Sequence, residues 1–312
     1  MALRDLSIRP LSVGEVIDRA VALTVRHFRP LFLAMLVLQA PALALARVQA
    51  TGLTDLAGSL SDPPAASEAL RRLAATSAWV LAILVVLQLA ATGVAAAIVA
   101  PSLGAEPPPA RGRRARAIAG AAVAQSLLLA GAPAVGAVPG LLLAWPSDAL
   151  APRATGLALA AAGSLALFLV AILRSLLAPV AAAVEGLGGL RAIARSSRLM
   201  APRPGTTFLE RPGVRASLLL LATFLLALAV NGLAGVPRAL AARATGGGAL
   251  GLLPGALPLW LEVVLGLLEA TASAALQPFS LVAVAVFYFD RRARIEGLDL
   301  ERWARGLAEA RK

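Results

Sequence analysis

Apolar residues along this chain fall in long blocks. Six stretches approach the roughly 20 residues that a helix needs to cross a bilayer. They run from about Leu31 to Leu45 or Val48, Ala74 to Pro101, about Ile118 to Trp145, Leu157 to about Val184, Ala216 to Val236, and about Pro258 to Phe289. The first is the weakest, because Pro41 interrupts it and Arg47 ends it. Kinks are expected near Pro133, Pro139, Pro179 and Pro278; membrane helices tolerate them where neighbours satisfy the freed carbonyls. The pattern predicts an all-α fold. It is a polytopic membrane helical bundle of six transmembrane helices, with an N-terminal interfacial amphipathic helix and a short C-terminal cytosolic helix. Three regions are expected: an interfacial segment over 1–30, the transmembrane domain over 31–289, and a basic cytosolic tail over 290–312.

The connections carry local signals. From Ser12 to Phe28 the chain reads as an amphipathic helix, with Glu15, Asp18, Arg19, Ala22 and Arg26 on one face and Val13, Val16, Ile17, Ala20 and Thr24 on the other. Ser12 and Glu15 have the spacing of a capping box. Such a helix lies in the membrane interface or packs on cytosolic loops. Pro30 predicts a sharp turn into the first span, since it disfavours helical geometry at Arg29. Gln49 to Arg72 reads as a polar outer loop. Thr245 to Pro258 reads as a flexible outer connection or as a re-entrant segment. In the tail, Phe287, Tyr288 and Phe289 suit the headgroup boundary, and Asp299 is placed to cap a last helix with Leu300, Trp303 and Leu307 on one face. Basic segments precede three hairpins, and RAIA recurs at Arg116–Ala119 and Arg191–Ala194. That is a weak threefold pattern.

Charge sets the expected orientation. The proposed cytosolic parts hold 22 basic residues and the proposed outer loops hold 6, with Arg174 inside a span. Positive residues stay inside, so both termini are expected in the cytosol. The opening MALRDLSIRPLSVGEVIDRA is charged and lacks the apolar block of a signal peptide. The expected location is a bacterial inner membrane. The asymmetry also accounts for the net charge of +12 without nucleic acid. The expected partners are the lipid bilayer with its anionic headgroups and a protein on the cytosolic face. The residues placed for those contacts are Arg19, Arg26, Arg113, Arg114, Arg195, Arg198, Arg291 and Arg292.

Composition narrows the chemistry. Of 312 residues, 59% are apolar and 15% charged, against about 45–50% and 25% in soluble domains. Cysteine is absent and His27 is the single histidine, so thiolate and imidazole chemistry have almost no material. No GxxxxGK[ST], HExxH or GxSxG motif occurs, and no catalytic residue, metal or cofactor is predicted. The ionisable and amide groups within or near spans are Arg174, Glu269, Gln277 and Asn231, with Glu262 nearer the outer surface. Intramembrane charges usually face the bundle interior with a partner. Either Arg174 snorkels to inner headgroups beside Glu185, or these residues line a polar cavity. An Arg174–Glu269 pair needs neighbouring helices of compatible depth. The small residues of Ala91–Ala100 and Ala154–Ala166 predict close helix approach.

The two ends resemble a known pattern. IRPLSVGEVIDRAVALTVRHFRPLF and VFYFDRRARIEGLDLERWA look like the membrane domain associated with some glycerophosphoryl diester phosphodiesterases, which also occurs as stand-alone bacterial membrane proteins. Arg9, Pro10, Leu11, Gly14, Glu15, Asp18 and Arg19 match the first motif. Tyr288, Asp290, Arg292, Arg294, Glu296, Gly297, Asp299 and Leu300 match the second. GLGGLRAIARSSRLM is similar to a third feature, a basic stretch with a serine–arginine turn. The likeness covers about fifty residues. It does not bring the catalytic barrel domain of that family. The sequence therefore reads as a non-enzymatic membrane module, a scaffold or lipid-associated docking domain. The alternative is a transporter or lipid-handling protein with a polar site around Arg174 and Glu269.

Overall fold

A computed structural model describes residues 11–59, 62–105, 110–144, 150–202, 207–244 and 257–297. Among them every regular element is helical: α1 Val13–Arg26, α2 Phe28–Ser59, α3 Pro63–Val99, α4 Arg111–Ala144, α5 Leu150–Ser175, α6 Ala178–Glu185, α7 Leu190–Leu199, α8 Pro212–Ala244 and α9 Leu259–Glu296, with short 3-10 turns after α3 and before α8. Five stretches are long and apolar enough to cross a membrane: Pro64–Leu103, Arg111–Ala144, Ala151–Glu185, Pro212–Ala244 and Trp260–Glu296. A sixth exists if α1 and the start of α2, bent 87° apart, form one span. The weakest expected span thus qualifies only jointly with α1. The expected tail helix after Asp299 and nearly all of Thr245–Pro258 lie outside the described residues.

The capping box at Ser12 is formed. The Ser12 amide donates to the Glu15 carboxylate at 2.7 Å, and the Glu15 amide donates to Ser12 Oγ at 3.2 Å. Val16, Ala20 and Leu23 of α1 are buried and Asp18 is exposed. The bend differs from expectation. It falls at His27, and Pro30 lies in the first turn of α2, where a missing amide hydrogen costs nothing. The region expected as a polar outer loop, Gln49 to Arg72, is instead mostly helix, shared between the end of α2 and the start of α3. In that start of α3, Glu68 pairs with Arg71 and Arg72 within one turn, the spacing that supports an exposed helix.

The chain forms two compact units. The first holds the start of α1, residues 92–219 and α9 from Val282 onward. Its central post is the end of α9: every residue from Val282 to Arg291 is buried. A helix apolar on all sides over such a length must be surrounded. The same unit holds the α4–α5 hairpin. Gly136 and Gly163 meet backbone to backbone, as do Gly140 and Gly156; a Cβ on Gly156 would lie 2.6 Å from the Ala144 nitrogen. Small residues at helical spacing permit this approach. Ser164 Oγ donates across it to the Pro133 carbonyl at 2.9 Å. Helix α4 runs unbroken through Pro133 and Pro139, and α9 through Pro278, whereas Pro179 opens a new helix, α6.

The second unit holds residues 21–91 and 220–281, from α1, α2, α3, α8 and α9. The long helices expose many large apolar side chains, among them Trp79, Leu127, Leu142, Phe224 and Leu233. Apolar surface on that scale is stable where the surrounding solvent is lipid.

Candidate functional site

The end of α9 collects two charge clusters in the first unit. In the first cluster Asp290 is fully buried. Its Oδ1 accepts the Leu11 amide at 2.7 Å. Its Oδ2 accepts Arg215 Nη1 at 3.1 Å, and Arg294 Nε reaches both oxygens at 3.1 Å. The Leu11 carbonyl accepts from Arg294 Nη2 at 2.7 Å and from Arg215 Nη2. The backbone of one residue is therefore clamped on both sides, its N–H by the carboxylate and its C=O by two guanidinium groups. Arg215 also sits 5.9 Å from the centre of the Phe287 ring, a cation–π distance.

The second cluster joins α6, α7 and α9. Glu185, the last residue of α6, accepts Arg195 Nη2 at 2.9 Å and Nε at 3.0 and 3.1 Å. The Tyr288 hydroxyl donates to the same carboxylate. Arg292 lies 3.6 Å from Glu185 and 2.8 Å from Glu296, and Glu296 also pairs with Arg195. Burial alone would lower the Arg195 pKa; the bonds and charges of Glu185 and Glu296 outweigh it and leave the pKa raised. Gly297 then ends α9 with φ 63°, a left-handed conformation that glycine adopts without strain.

A serine closes the adjoining break. Between α5 and α6 the helix ladder fails, because Pro179 has no amide hydrogen. Ser196 Oγ on α7 accepts the Leu177 amide at 3.1 Å and donates to the Arg174 carbonyl at 2.7 Å. Nearby, Gln125 Nε2 donates to Ser175 Oγ at 3.0 Å. Gly186 and Gly189, at φ 70° and 55°, turn the chain from α6 into α7.

A polar stripe runs along α9 in the second unit. Glu269 takes a two-pronged bond from Arg238, Nε at 2.8 Å and Nη2 at 3.3 Å. Ser273 donates to the Asn231 side chain at 2.7 Å. Gln277 donates to Gln88 on α3. Glu262 is buried near the start of the helix, where it accepts the Leu257 amide at 3.4 Å. Asn231, Glu269 and Gln277 are thus on one polar system, and each has a partner.

Arg174 is not in that stripe. It lies in the other unit, exposed, in the last turn of α5. Arg238 was missed because Pro237 looks like the end of a span; α8 continues to Ala244.

The arginines expected to meet headgroups divide sharply. Arg26, Arg113 and Arg198 are exposed, and Arg19 and Arg114 are half-buried. Arg195 and Arg292 are held in the second cluster. Arg291 is buried and donates to the Leu199 carbonyl at 3.0 Å. Arg111, Arg116 and Arg191 are also exposed, and the elements that carry them, α4 and α7, pack together. His27 sits at the corner between α1 and α2. Among the described residues no group of three His, Cys, Asp or Glu is placed to hold a metal.

No protein-family profile, curated protein or solved structure matches the chain. Among the described residues the chain is all-helical, with five helices long and apolar enough to span a membrane, or six spans if the bent pair α1–α2 counts as one.

Proposed function

We propose that this chain is a non-enzymatic membrane module, six spans across a bacterial inner membrane with both termini in the cytosol, similar to the membrane domain associated with glycerophosphoryl diester phosphodiesterases. The observation that carries the reading is where the motif residues go. Tyr288, Asp290, Arg292, Arg294 and Glu296 are all spent on bonds inside the chain, to one another or to Leu11, Glu185, Arg195 and Arg215. Groups held in this way support a fold. A catalytic carboxylate must instead reach a substrate proton. The exposed arginines of α4 and α7 then form a basic platform for anionic headgroups or for a protein partner on the cytosolic face. The test is glycerophosphodiester hydrolysis by purified protein in lipid nanodiscs. No turnover above empty discs is expected. Turnover that disappears with Glu269→Gln or Glu262→Gln would overturn the reading.

A second reading is lipid handling between the helices, and the Arg238–Glu269 pair favours it. An ion pair inside hydrocarbon is costly unless it serves a site. Extraction of specifically retained lipid from the purified protein would support this reading. Recovery of bulk lipid in membrane proportions, unchanged by Glu269→Gln, would count against it.

A further inference from the structure

Arg238 has a donor left over. A guanidinium carries five N–H donors. Nε and Nη2 are satisfied by Glu269, but Nη1 is buried and has no acceptor among the described residues. The Arg238 side chain is 12% exposed and that of Glu269 32%. A buried cationic donor without an acceptor is costly, and a ligand oxygen would relieve it.

The same face of α9 leads to a cavity. Glu269, Ser273 and Gln277 follow at spacings of four residues and so share one face. Glu269 and Gln277 are about 12 Å apart along the helix. At Gln277 lies a cavity of about 290 Å³, lined by Leu38, Ala42, Leu84 and Leu87 with Gln88 and Gln277. Its walls are mostly hydrocarbon and its polar groups are two amides. All these residues belong to the second unit. Asn231 and Leu233 on α8 are exposed, so the stripe is reachable laterally from the surrounding solvent.

We propose that Arg238 Nη1 binds the anionic head of an amphiphile, a carboxylate or phosphate, whose alkyl chain follows the α9 stripe towards the cavity at Gln277. The inference rests on the lipid-handling reading and names its ligand. Charge complementarity selects an anion, and the apolar cavity selects a chain. Glu269 is the resident counter-ion, and it competes with the ligand for Arg238. That competition gives the sign of the test.

The experiment uses the full chain in phosphatidylcholine nanodiscs. Native mass spectrometry follows binding of three probes of equal chain length: a fatty acid, an alkyl phosphate and a fatty alcohol. The two anionic probes should bind at least tenfold tighter than the alcohol, and the preference between them identifies the source of the head. Arg238→Gln should weaken the anionic probes at least tenfold and leave the alcohol unchanged. Glu269→Gln should leave anion binding intact or tighten it. Should Arg238→Gln fail to fold, Leu84→Trp narrows the cavity without touching the ion pair and should weaken all three probes. Alcohol binding as tight as fatty acid binding overturns the anion assignment while lipid handling survives. Binding of none of the probes overturns both. Loss of anion binding with Glu269→Gln equal to that with Arg238→Gln, in a variant of unchanged thermal stability, also overturns the proposal.

Discussion

Asp290 holds the amide of Leu11 at 2.7 Å, across 279 positions of sequence. The two residues belong to the two motifs at the ends of the chain, so each motif is explained by the other. The carboxylate is buried with Arg215 beside it, their side chains 0% and 6% exposed. Removing one member of a buried pair strands the other, at about 3–5 kcal/mol. Asp290→Asn and Arg215→Gln should each lower the unfolding temperature of the purified protein substantially. The double variant should lose less than the sum of the two. Additive losses in a double-mutant cycle would show that the pair does not interact.

The α4–α5 hairpin depends on the absence of side chains. Gly140→Ala and Gly156→Ala both place a methyl into backbone of the facing helix, so the helices must move apart and lose packing. Overpacking of this kind costs about 1–3 kcal/mol. Gly131, on the same α4, has nothing within 4 Å of an added Cβ, and Gly131→Ala should leave stability nearly unchanged. Thermal unfolding of the three variants in one detergent checks the contrast. Equal losses at Gly131 and Gly140 would remove the close crossing as the cause.

Which parts were legible in the sequence follows from the range of the interactions. The Ser12–Glu15 capping box depends on a spacing of three residues and could be read directly. So could the long apolar runs, and the small residues that let α4 and α5 touch. The ends of the helices could not. Hydropathy sees the apolar middle of a helix, whereas α2 and α3 extend through polar turns held by local pairs such as Glu68 with Arg72. Counting charges could not separate Arg195 from Arg198, three residues apart on α7. Only the fold sets Glu185 and Glu296 beside the first and leaves the second exposed. Arg238 was hidden by Pro237, because a proline reads as an end of helix unless the surrounding hydrocarbon makes breaking the helix costlier than keeping it.

That difference between neighbouring arginines is itself measurable. Arg195→Gln removes the guanidinium bonds to Glu185 and Glu296 and leaves Arg292 as the cation beside both, and should destabilise the protein by about 1–3 kcal/mol. Arg198→Gln removes an exposed charge and should change stability by less than about 0.5 kcal/mol. The raised pKa of Arg195 has a definite sign. A cation whose pKa is raised in the fold stabilises at every pH below its ordinary, strongly basic range, so its contribution should stay constant between pH 5 and 9. A contribution that varies across that window, measured as the difference between wild type and Arg195→Gln, would contradict the geometry.

Ser196 should matter more than its neighbour. Its hydroxyl serves both sides of the α5–α6 break, whereas Ser197 reaches the Arg174 carbonyl only at 3.4 Å and from an exposed position. Ser196→Ala leaves a buried amide and a carbonyl short of a partner, at about 1–3 kcal/mol. Ser197→Ala should be nearly silent. Hydrogen exchange at Leu177 gives a local readout: its amide should exchange faster in Ser196→Ala and stay protected in Ser197→Ala.

The absence of cysteine makes the proposed topology open to a direct test. Single cysteines introduced at exposed positions can be labelled one at a time without background. Arg113→Cys and Arg198→Cys lie on the α4–α7 platform, and Arg71→Cys lies near the start of α3. If positive residues are retained inside, a membrane-impermeant maleimide added to intact cells should label the cysteine at 71 and spare those at 113 and 198. Opened membranes should label all three. Labelling of 113 or 198 in intact cells would put the basic platform on the outer face. The platform could then not meet cytosolic anionic headgroups, and the docking role proposed for it would fail while the helix packing stood unchanged.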